Sequence, residues 1–180
     1  KSEKIGNLYG IKARKRKEME FFIREARAEE ASLLAEIEAL CFPPAEAASK
    51  EEIQKRMCAF LENFFVAESD GKIVGFVNGG TTDQPKLPDE MYHDVSLHKP
   101  WGAYQTVFGL NVLPEYRCQG IAGRLLEYLV AESRKRGKRG VILTCKAYLT
   151  GFYESHEFQN FGIAESEHGG AVWYDMVLEF

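Results

Sequence analysis

The sequence lacks several patterns that would assign it to a structural class at once. No apolar run reaches the length of about 18 residues that suggests a transmembrane helix, and the polar opening residues predict no signal peptide. Internal repeats and low-complexity tracts are also missing. A chain of 180 residues, 45% of them hydrophobic, can bury a sizeable core, and we expect one folded domain.

Cysteine is scarce and scattered. No two cysteines form a C-x-x-C pair, so the sequence predicts neither a disulfide framework nor a zinc site, and we expect no bound metal. Unpaired cysteines are typical of reducing compartments, so we expect a cytoplasmic location. The four residues are Cys41, Cys58, Cys118 and Cys145.

Basic residues are concentrated at one end of the chain. Residues 1–18 hold seven Lys and Arg against two Glu, whereas acidic residues predominate in the rest. We therefore expect a basic N-terminal extension over 1–18 and a single domain over 19–180. The acidic body argues against nucleic acid or a membrane as the main partner and is compatible with a cationic acceptor. The stretch KARKRK (12–17) leaves a nucleic-acid-binding arm as the alternative.

Hydrophobic periodicity predicts a mixed α/β domain. One apolar run alternates as a hairpin across Asp70-Gly71, and another, 139–145, is almost entirely apolar, as expected for a strand covered on both faces. The economical architecture is a mixed sheet with helices on both faces. Strands are predicted at 21–26, 64–69, 72–82, 103–114, 139–145, 158–164 and 170–180, and helices at 28–42, 49–61, 121–137 and 148–156, with a long polar loop at 83–103.

A short polar turn, Tyr116 to Gly123, separates the strand 103–114 from an apolar helix. A helix N-terminus presents unpaired N–H groups and partial positive charge, and small side chains let a phosphate approach them. The turn therefore suits a pyrophosphate, although an ordinary strand-to-helix connection remains the alternative. Neither a Walker loop (G-x-x-x-x-G-K-[ST]) nor a dinucleotide fingerprint (G-x-G-x-x-G) is present.

Two motifs give the sequence a family resemblance. The pattern V-x-P-x-Y-R-x-x-G-x-A, from Val112 to Ala122, resembles the signature of the GNAT N-acetyltransferases. The segment 145–158 is similar to that family's N-x-x-A-x-x-F-Y-x-x-x-G-F motif, with Phe152, Tyr153 and Phe158 in register. The chain resembles, in particular, bacterial members of the arylalkylamine (serotonin) N-acetyltransferase branch.

The resemblance implies the GNAT acyl-CoA N-acyltransferase fold. In that fold about seven strands form a mixed, mostly antiparallel sheet flanked by about four helices, with two neighbouring parallel strands splayed apart. It implies acetyl-CoA as cosubstrate and a direct transfer to the primary amine of a small molecule in a ternary complex. It also implies that the protein is a monomer or homodimer.

The resemblance also implies roles for individual residues. The Leu110 backbone N–H would face the thioester carbonyl, and Tyr153 would be the general acid beside the sulfur. Lys146 occupies a position where the family often has Asn. Whether Lys146 contacts the pantetheine arm in the same way is therefore left open. The implied acetyl-CoA-binding residues are Leu110, Asn111, Val112, Arg117, Cys118, Gln119, Gly120, Ile121, Ala122, Gly123, Lys146 and Tyr153.

The general base is left open. Animal members of the branch carry two histidines where this chain has Thr106 and Phe108, so that base cannot be transferred. The alternatives are a water chain to solvent or one of four side chains: His93, Asp94, Asn111 through water, and His168.

The acceptor mouth is expected beside 42–60 and 83–103. An aromatic wall for an arylalkylamine is one interpretation of this region and ordinary packing is the other. The residues concerned are Phe42, Pro43, Trp101 and Tyr104. Two functions compete with small-amine acetylation: acetylation of a protein or peptide, which needs an open groove, and a non-catalytic acetyl-CoA sensor or scaffold.

Overall fold

The computed structural model describes residues 19–180, so the predicted extension 1–18 and its KARKRK stretch lie outside the described residues. Within 19–180, nine strands and four α-helices alternate, joined by short 3₁₀ turns. The strands are β1 (Phe22–Glu25), β2 (Phe65–Ser69), β3 (Lys72–Asn78), β4 (Thr81–Thr82), β5 (Tyr104–Val107), β6 (Gly109–Val112), β7 (Gly140–Cys145), β8 (Gln159–Ile163) and β9 (Tyr174–Glu179). The helices are α1 (Ala31–Cys41), α2 (Lys50–Phe60), α3 (Ile121–Lys135) and α4 (Thr150–Ser155).

The strands form two sheets. The first has the order β1-β2-β3-β6 and is antiparallel throughout. The second has the order β4-β5-β7-β9-β8, in which β5 and β7 are parallel and the other neighbours are antiparallel. Parallel neighbours require a long crossover, and the connection through α3 supplies it.

The chain passes from one sheet to the other at two adjacent points. The predicted strand 72–82 breaks at Gly79-Gly80 into β3 and β4, and the predicted strand 103–114 breaks at Phe108 into β5 and β6. Two backbone bonds hold the breaks together, from Phe108 N–H to Asn78 O (2.7 Å) and from Thr106 N–H to Gly80 O (2.9 Å). Gly79 allows this close approach, because a Cβ there would overlap the Thr106 backbone.

Helices cover both faces of the first sheet, as predicted. Alternate residues of a strand point to opposite faces, so Phe65 and Ala67 pack under α3 while Val66 packs under α1 and α2. The spacing of Ser49 and Glu52 predicts a capping box at the start of α2, and it is present. Ser49 Oγ accepts from Glu52 N–H at 3.1 Å, and Glu52 Oε2 accepts from Ser49 N–H at 2.7 Å.

The buried face of α1 differs from the expected one. The spacing of its leucines predicts Leu33 and Leu40 on the core side, but both are exposed, Leu40 by 66%. Leu34 and Ile37 are buried as expected, and Glu38 is buried beside them at 3% exposure. The helix is therefore rotated so that a carboxylate faces inward.

Candidate active site

A gap opens where the two parallel strands separate. Pairing between β5 and β7 ends at Val107 and Leu143, after which β6 follows β3 and β7 runs on to Cys145 beside β9. The backbone of β6 therefore loses its neighbour on one side. This is the splay between parallel strands that the family resemblance implies.

Backbone groups of β6 face the gap. Leu113 N–H donates to Val74 O and so points towards β3. The carbonyl of the preceding residue, Val112, points away from β3 and accepts from Arg117 Nε at 3.0 Å. Because backbone direction alternates along a strand, the N–H of Leu110 points to the same side as the groups of Val112, away from β3. The Leu110 N–H is therefore a hydrogen-bond donor directed into the gap.

The turn before α3 has the geometry of an anion site. Cys118 and Gly120 both adopt positive φ, at 59° and 83°, and Gly120 is the N-cap of the helix. The first intrahelical bond is Arg124 N–H to Gly120 O, so the N–H groups of residues 121–123 have no helical partner. The Arg117 and Gln119 side chains are exposed at this turn, and Arg117 adds a positive charge to it.

A cleft of about 580 Å³ runs from this turn to the gap. Its walls are formed by β6, the start of α3, the segment before α4 and the connection between α1 and α2. Tyr153 stands at its inner end, and burial raises the pKa of the Tyr153 hydroxyl. The predicted residues that line it are Phe42, Pro43, Leu110, Val112, Arg117, Cys118, Gly120, Ile121, Ala122, Gly123, Lys146 and Tyr153.

A smaller cavity, of about 80 Å³, lies in the gap and shares Tyr153 with the larger cleft. Aromatic and aliphatic side chains form most of its walls, and Glu38, Glu46 and His168 also contribute to it. The aromatic lining residues are Phe42, Tyr92, Phe108, Tyr153 and Trp173.

The segment from Ser166 to Trp173, which precedes β9, contributes His168 and Trp173 to the smaller cavity and is called the roof here. Trp173 Nε1–H donates to His168 O at 2.8 Å, and the His168 ring stacks on Tyr92 at 4.8 Å. His168 Nε2 lies 3.2 Å from Glu46 O, and Lys146 Nζ lies 2.6 Å from Glu46 Oε1. The roof is thus attached to the α1–α2 connection, which includes Glu46.

Several predicted site residues lie elsewhere. Trp101 is 95% exposed, and Tyr104 is buried with its hydroxyl donating to Glu179 Oε1 at 3.0 Å, so neither contributes to an aromatic wall. His93 is 63% exposed and bonds Glu52 at 2.6 Å. Asp94 caps a 3₁₀ turn by accepting from Ser96 N–H at 2.9 Å. Of the four base candidates, only His168 lines the smaller cavity, while Asn111 is fully buried beside it.

Four residues of the smaller cavity and its roof could not be predicted from the sequence. Glu38, Glu46, Tyr92 and Trp173 come from α1, the α1–α2 connection, the long loop and the approach to β9, which meet only in the folded chain. The one available signal was a glutamate on an otherwise apolar helix face, at Glu38.

The described residues 19–180 contain no helix that is long and apolar enough to cross a membrane. All four cysteines fall in this range and are free. The same residues hold no group of three or more His, Cys, Asp or Glu arranged to bind a metal ion.

Comparison with known proteins identifies the fold. Three solved structures illustrate the similarity. A GphF GNAT-like decarboxylase in complex with isobutyryl-CoA has 24% identity, a TM-score of 0.77 and coverage of 88% of this chain and 98% of that one. The loading GNATL domain of CurA from Lyngbya majuscula has 19% identity, a TM-score of 0.74 and coverage of 87% and 96%. A GNAT family acetyltransferase from Brucella melitensis in complex with acetyl-CoA has 20% identity, a TM-score of 0.59 and coverage of 90% and 89%.

These identities establish similarity of fold, and the predicted GNAT fold is confirmed. A search of curated proteins finds no match. A family model described as "Acetyltransferase (GNAT) domain" matches residues 61–160, a range that includes β6, the turn before α3 and Tyr153. Since this match spans more than half of the chain, the protein belongs to the GNAT family of acetyltransferases.

Proposed function

We propose that this chain transfers the acetyl group of acetyl-CoA directly to the primary amine of a small molecule, within a ternary complex. The smaller cavity, which shares Tyr153 with the larger cleft, is the observation that carries this proposal. It offers a small acceptor a place beside the thioester.

The larger cleft suits acetyl-CoA along its length. The unpaired N–H groups of residues 121–123, with Arg117 beside them, suit the pyrophosphate. The free edge of β6 suits the amide groups of the pantetheine arm. The Leu110 N–H is aimed into the gap, where a preorganised donor would stabilise the oxyanion that forms on the thioester carbonyl.

Tyr153 is the proposed general acid. It lines both the cleft and the smaller cavity, so a thioester that enters from the cleft passes its hydroxyl. The raised pKa keeps the hydroxyl protonated at neutral pH, and the proton is available to the departing thiolate.

The roof favours a small acceptor over a peptide. An N-terminal peptide needs an open groove, whereas the segment from Ser166 to Trp173 narrows the acceptor side, where His168 and Trp173 line the smaller cavity. Ser166 and Glu167 are bonded to Asp89 at 2.5 and 2.9 Å, which holds the roof to the long loop. The aromatic lining suits an amine with an apolar or aromatic body, such as an arylalkylamine.

The proposal is tested by following thiol release from acetyl-CoA against arylalkylamines, short aliphatic amines, polyamines and peptides with free N-termini, with products identified by mass. We expect turnover on a small amine and none on peptides. Isobutyryl-CoA is included as an alternative donor, because one similar structure is described as a decarboxylase in complex with isobutyryl-CoA.

Two outcomes would contradict the proposal. Turnover on peptides alone would assign the chain to protein or peptide acetylation. Tight binding of acetyl-CoA by calorimetry, with no transfer to any member of the panel, would favour a sensor or scaffold.

A further inference from the structure

Three buried polar side chains converge at the strand gap. Glu38 comes from α1, Asn78 from the end of β3 and Asn111 from β6, and the two asparagines are completely buried. A methyl group placed on Gly109 would lie 3.1 Å from Asn111 Nδ2, 3.4 Å from Asn78 Nδ2 and 3.4 Å from Glu38 Oε2. Gly109 and Glu38 both line the smaller cavity, so this cluster borders the proposed acceptor site.

The polar atoms of this cluster are not satisfied within the described part of the chain. Glu38 Oε2 and both side-chain polar atoms of Asn78 and of Asn111 make no hydrogen bond of normal geometry there, although the Asn111 amide lies close enough to Glu38 to favour its ionised form. Each buried unsatisfied group costs about 1–3 kcal/mol. Five such atoms in one place therefore point to a polar occupant, and a site with several donors and acceptors beside a cavity suits water.

Glu38 is held in position by its other oxygen. Its Oε1 accepts from Ala48 N–H at 3.1 Å, which anchors the carboxylate to the α1–α2 connection. Oε2 is left facing the cluster. The carboxylate thus has one oxygen with a structural role and one that is free for proton transfer.

We propose, on the basis of the acetyl transfer proposed above, that Glu38 is the proton acceptor of the reaction and receives the amine proton through water held by Asn78 and Asn111. Glu38 supplies a carboxylate at the gap, beside Gly109 and the smaller cavity. Of the earlier candidates, His93 and Asp94 lie outside the smaller cavity, and Asn111 carries no basic group at neutral pH.

The proton balance is complete with this assignment. An acceptor that arrives as an ammonium first loses a proton to solvent. As the C–N bond forms and the C–S bond breaks, the proton on nitrogen passes through water to Glu38 Oε2, and the Tyr153 proton passes to the thiolate. Exchange with solvent then deprotonates Glu38 and reprotonates Tyr153, so no further reactant is consumed.

Charged and titratable groups surround Glu38 on several sides. Burial raises the pKa of the Glu38 carboxyl, and the negative charge of Glu52 on α2 raises it further. The Ala48 N–H, the Arg56 charge and the Asn111 amide oppose this rise, because each favours the ionised carboxylate. The other titratable groups near it are Cys41 on its own helix and, around the smaller cavity, Glu46, Tyr92, Cys145, Tyr153 and His168.

The decisive variant is Glu38→Gln, which keeps an oxygen for Ala48 N–H and removes the basic group. We expect kcat to fall about 100-fold, within the range for general base catalysis, while the Kd for acetyl-CoA changes less than about twofold. The acid limb of the wild-type pH profile of kcat/KM should disappear. Glu36→Gln, an exposed glutamate on the same helix, is the matched control and should behave as wild type.

A second variant tests the proposal if Glu38→Gln does not fold. Asn111→Ala removes a water-holding group and no charge, so kcat should fall at least about tenfold while the acid limb remains. Wild-type kcat and pH profile in a folded Glu38→Gln variant would overturn the assignment, as would loss of the acid limb in His168→Gln alone. Unchanged kcat in Asn111→Ala would exclude the water relay. If the wild-type protein acetylates no amine, the proposed function fails first.

Discussion

Lys146 Nζ lies 2.6 Å from Glu46 Oε1, and this ion pair joins the end of β7 to the α1–α2 connection. Both side chains are largely buried, and the Lys146 ammonium also lies 5.6 Å from the centre of the Trp173 ring. The pair therefore connects the cleft wall to the roof. Lys146 also lines the larger cleft, and its predicted contact with the cofactor stays a prediction.

Breaking this pair is expected to loosen the roof. Glu46→Gln leaves the Lys146 charge without its partner and should lower the free energy of unfolding by about 1–3 kcal/mol, less than for a fully buried pair. The KM for the amine should rise. The double variant Glu46→Gln/Lys146→Met should be more stable than the sum of the single changes implies. Additive losses in chemical denaturation would show that the contact does not couple the two segments.

Changing Gly120 to Asp should prevent acetyl-CoA binding. The new carboxylate would stand at the N-terminus of α3, where the account places the pyrophosphate, and we expect at least a 100-fold increase in Kd by calorimetry. Gly137→Asp is the matched control, because Gly137 has a similar φ of 70°, equally open surroundings and a position at the far end of the same helix. Equal effects of the two changes, or none, would refute the phosphate site.

Changing Tyr153 to Phe should separate chemistry from binding. The ring continues to fill its place against Phe152 and Phe158, so the Kd for acetyl-CoA should change little. Because the thiolate then leaves without a proton donor, kcat should fall about 100-fold in steady-state assays. Tyr128→Phe, on α3 against Phe65, controls for loss of a tyrosine hydroxyl. Wild-type kcat in Tyr153→Phe would remove Tyr153 from the mechanism.

The buried carboxylate of Glu38 also predicts a stability effect. Because its pKa is raised in the folded state, Glu38 binds its proton more tightly there, and the stability it contributes when protonated is lost as pH rises through that pKa. The always neutral Glu38→Gln should therefore exceed wild type in Tm at pH 8, by about 2–4 °C for each kcal/mol gained. The difference should shrink as pH falls towards 4. A difference independent of pH would contradict the buried ionised carboxylate.

Local sequence patterns account for the elements and for the turn before α3. Three predicted features depend only on neighbours a few residues away, and the structure agrees with each. They are the apolar face of α3 with Ile121 and Leu125, the almost entirely apolar β7, and the capping box at Ser49. The turn before α3 is likewise a local feature. Its positive φ at Gly120 follows from the residue type that the motif places there.

The acceptor side depended on contacts that no local pattern contains. The burial of Glu38 requires Ala48, ten residues later, to fold back onto α1, and the leucine spacing alone favoured a different face. The breaks at Gly79-Gly80 and Phe108 arise because each half of a continuous run pairs with a different sheet. Trp101 was predicted in the site because the family resemblance implies that the 83–103 loop flanks the acceptor mouth, yet its ring faces solvent.

The most direct test of the central claim is a crystal structure of the protein with acetyl-CoA bound. We expect the pyrophosphate to accept hydrogen bonds from the N–H groups of residues 121–123, and the thioester carbonyl to accept one from the Leu110 N–H. The sulfur should lie within hydrogen-bonding reach of the Tyr153 hydroxyl, at about 3–3.5 Å. A thioester outside the gap between β6 and β7, or a sulfur remote from Tyr153, would contradict the account.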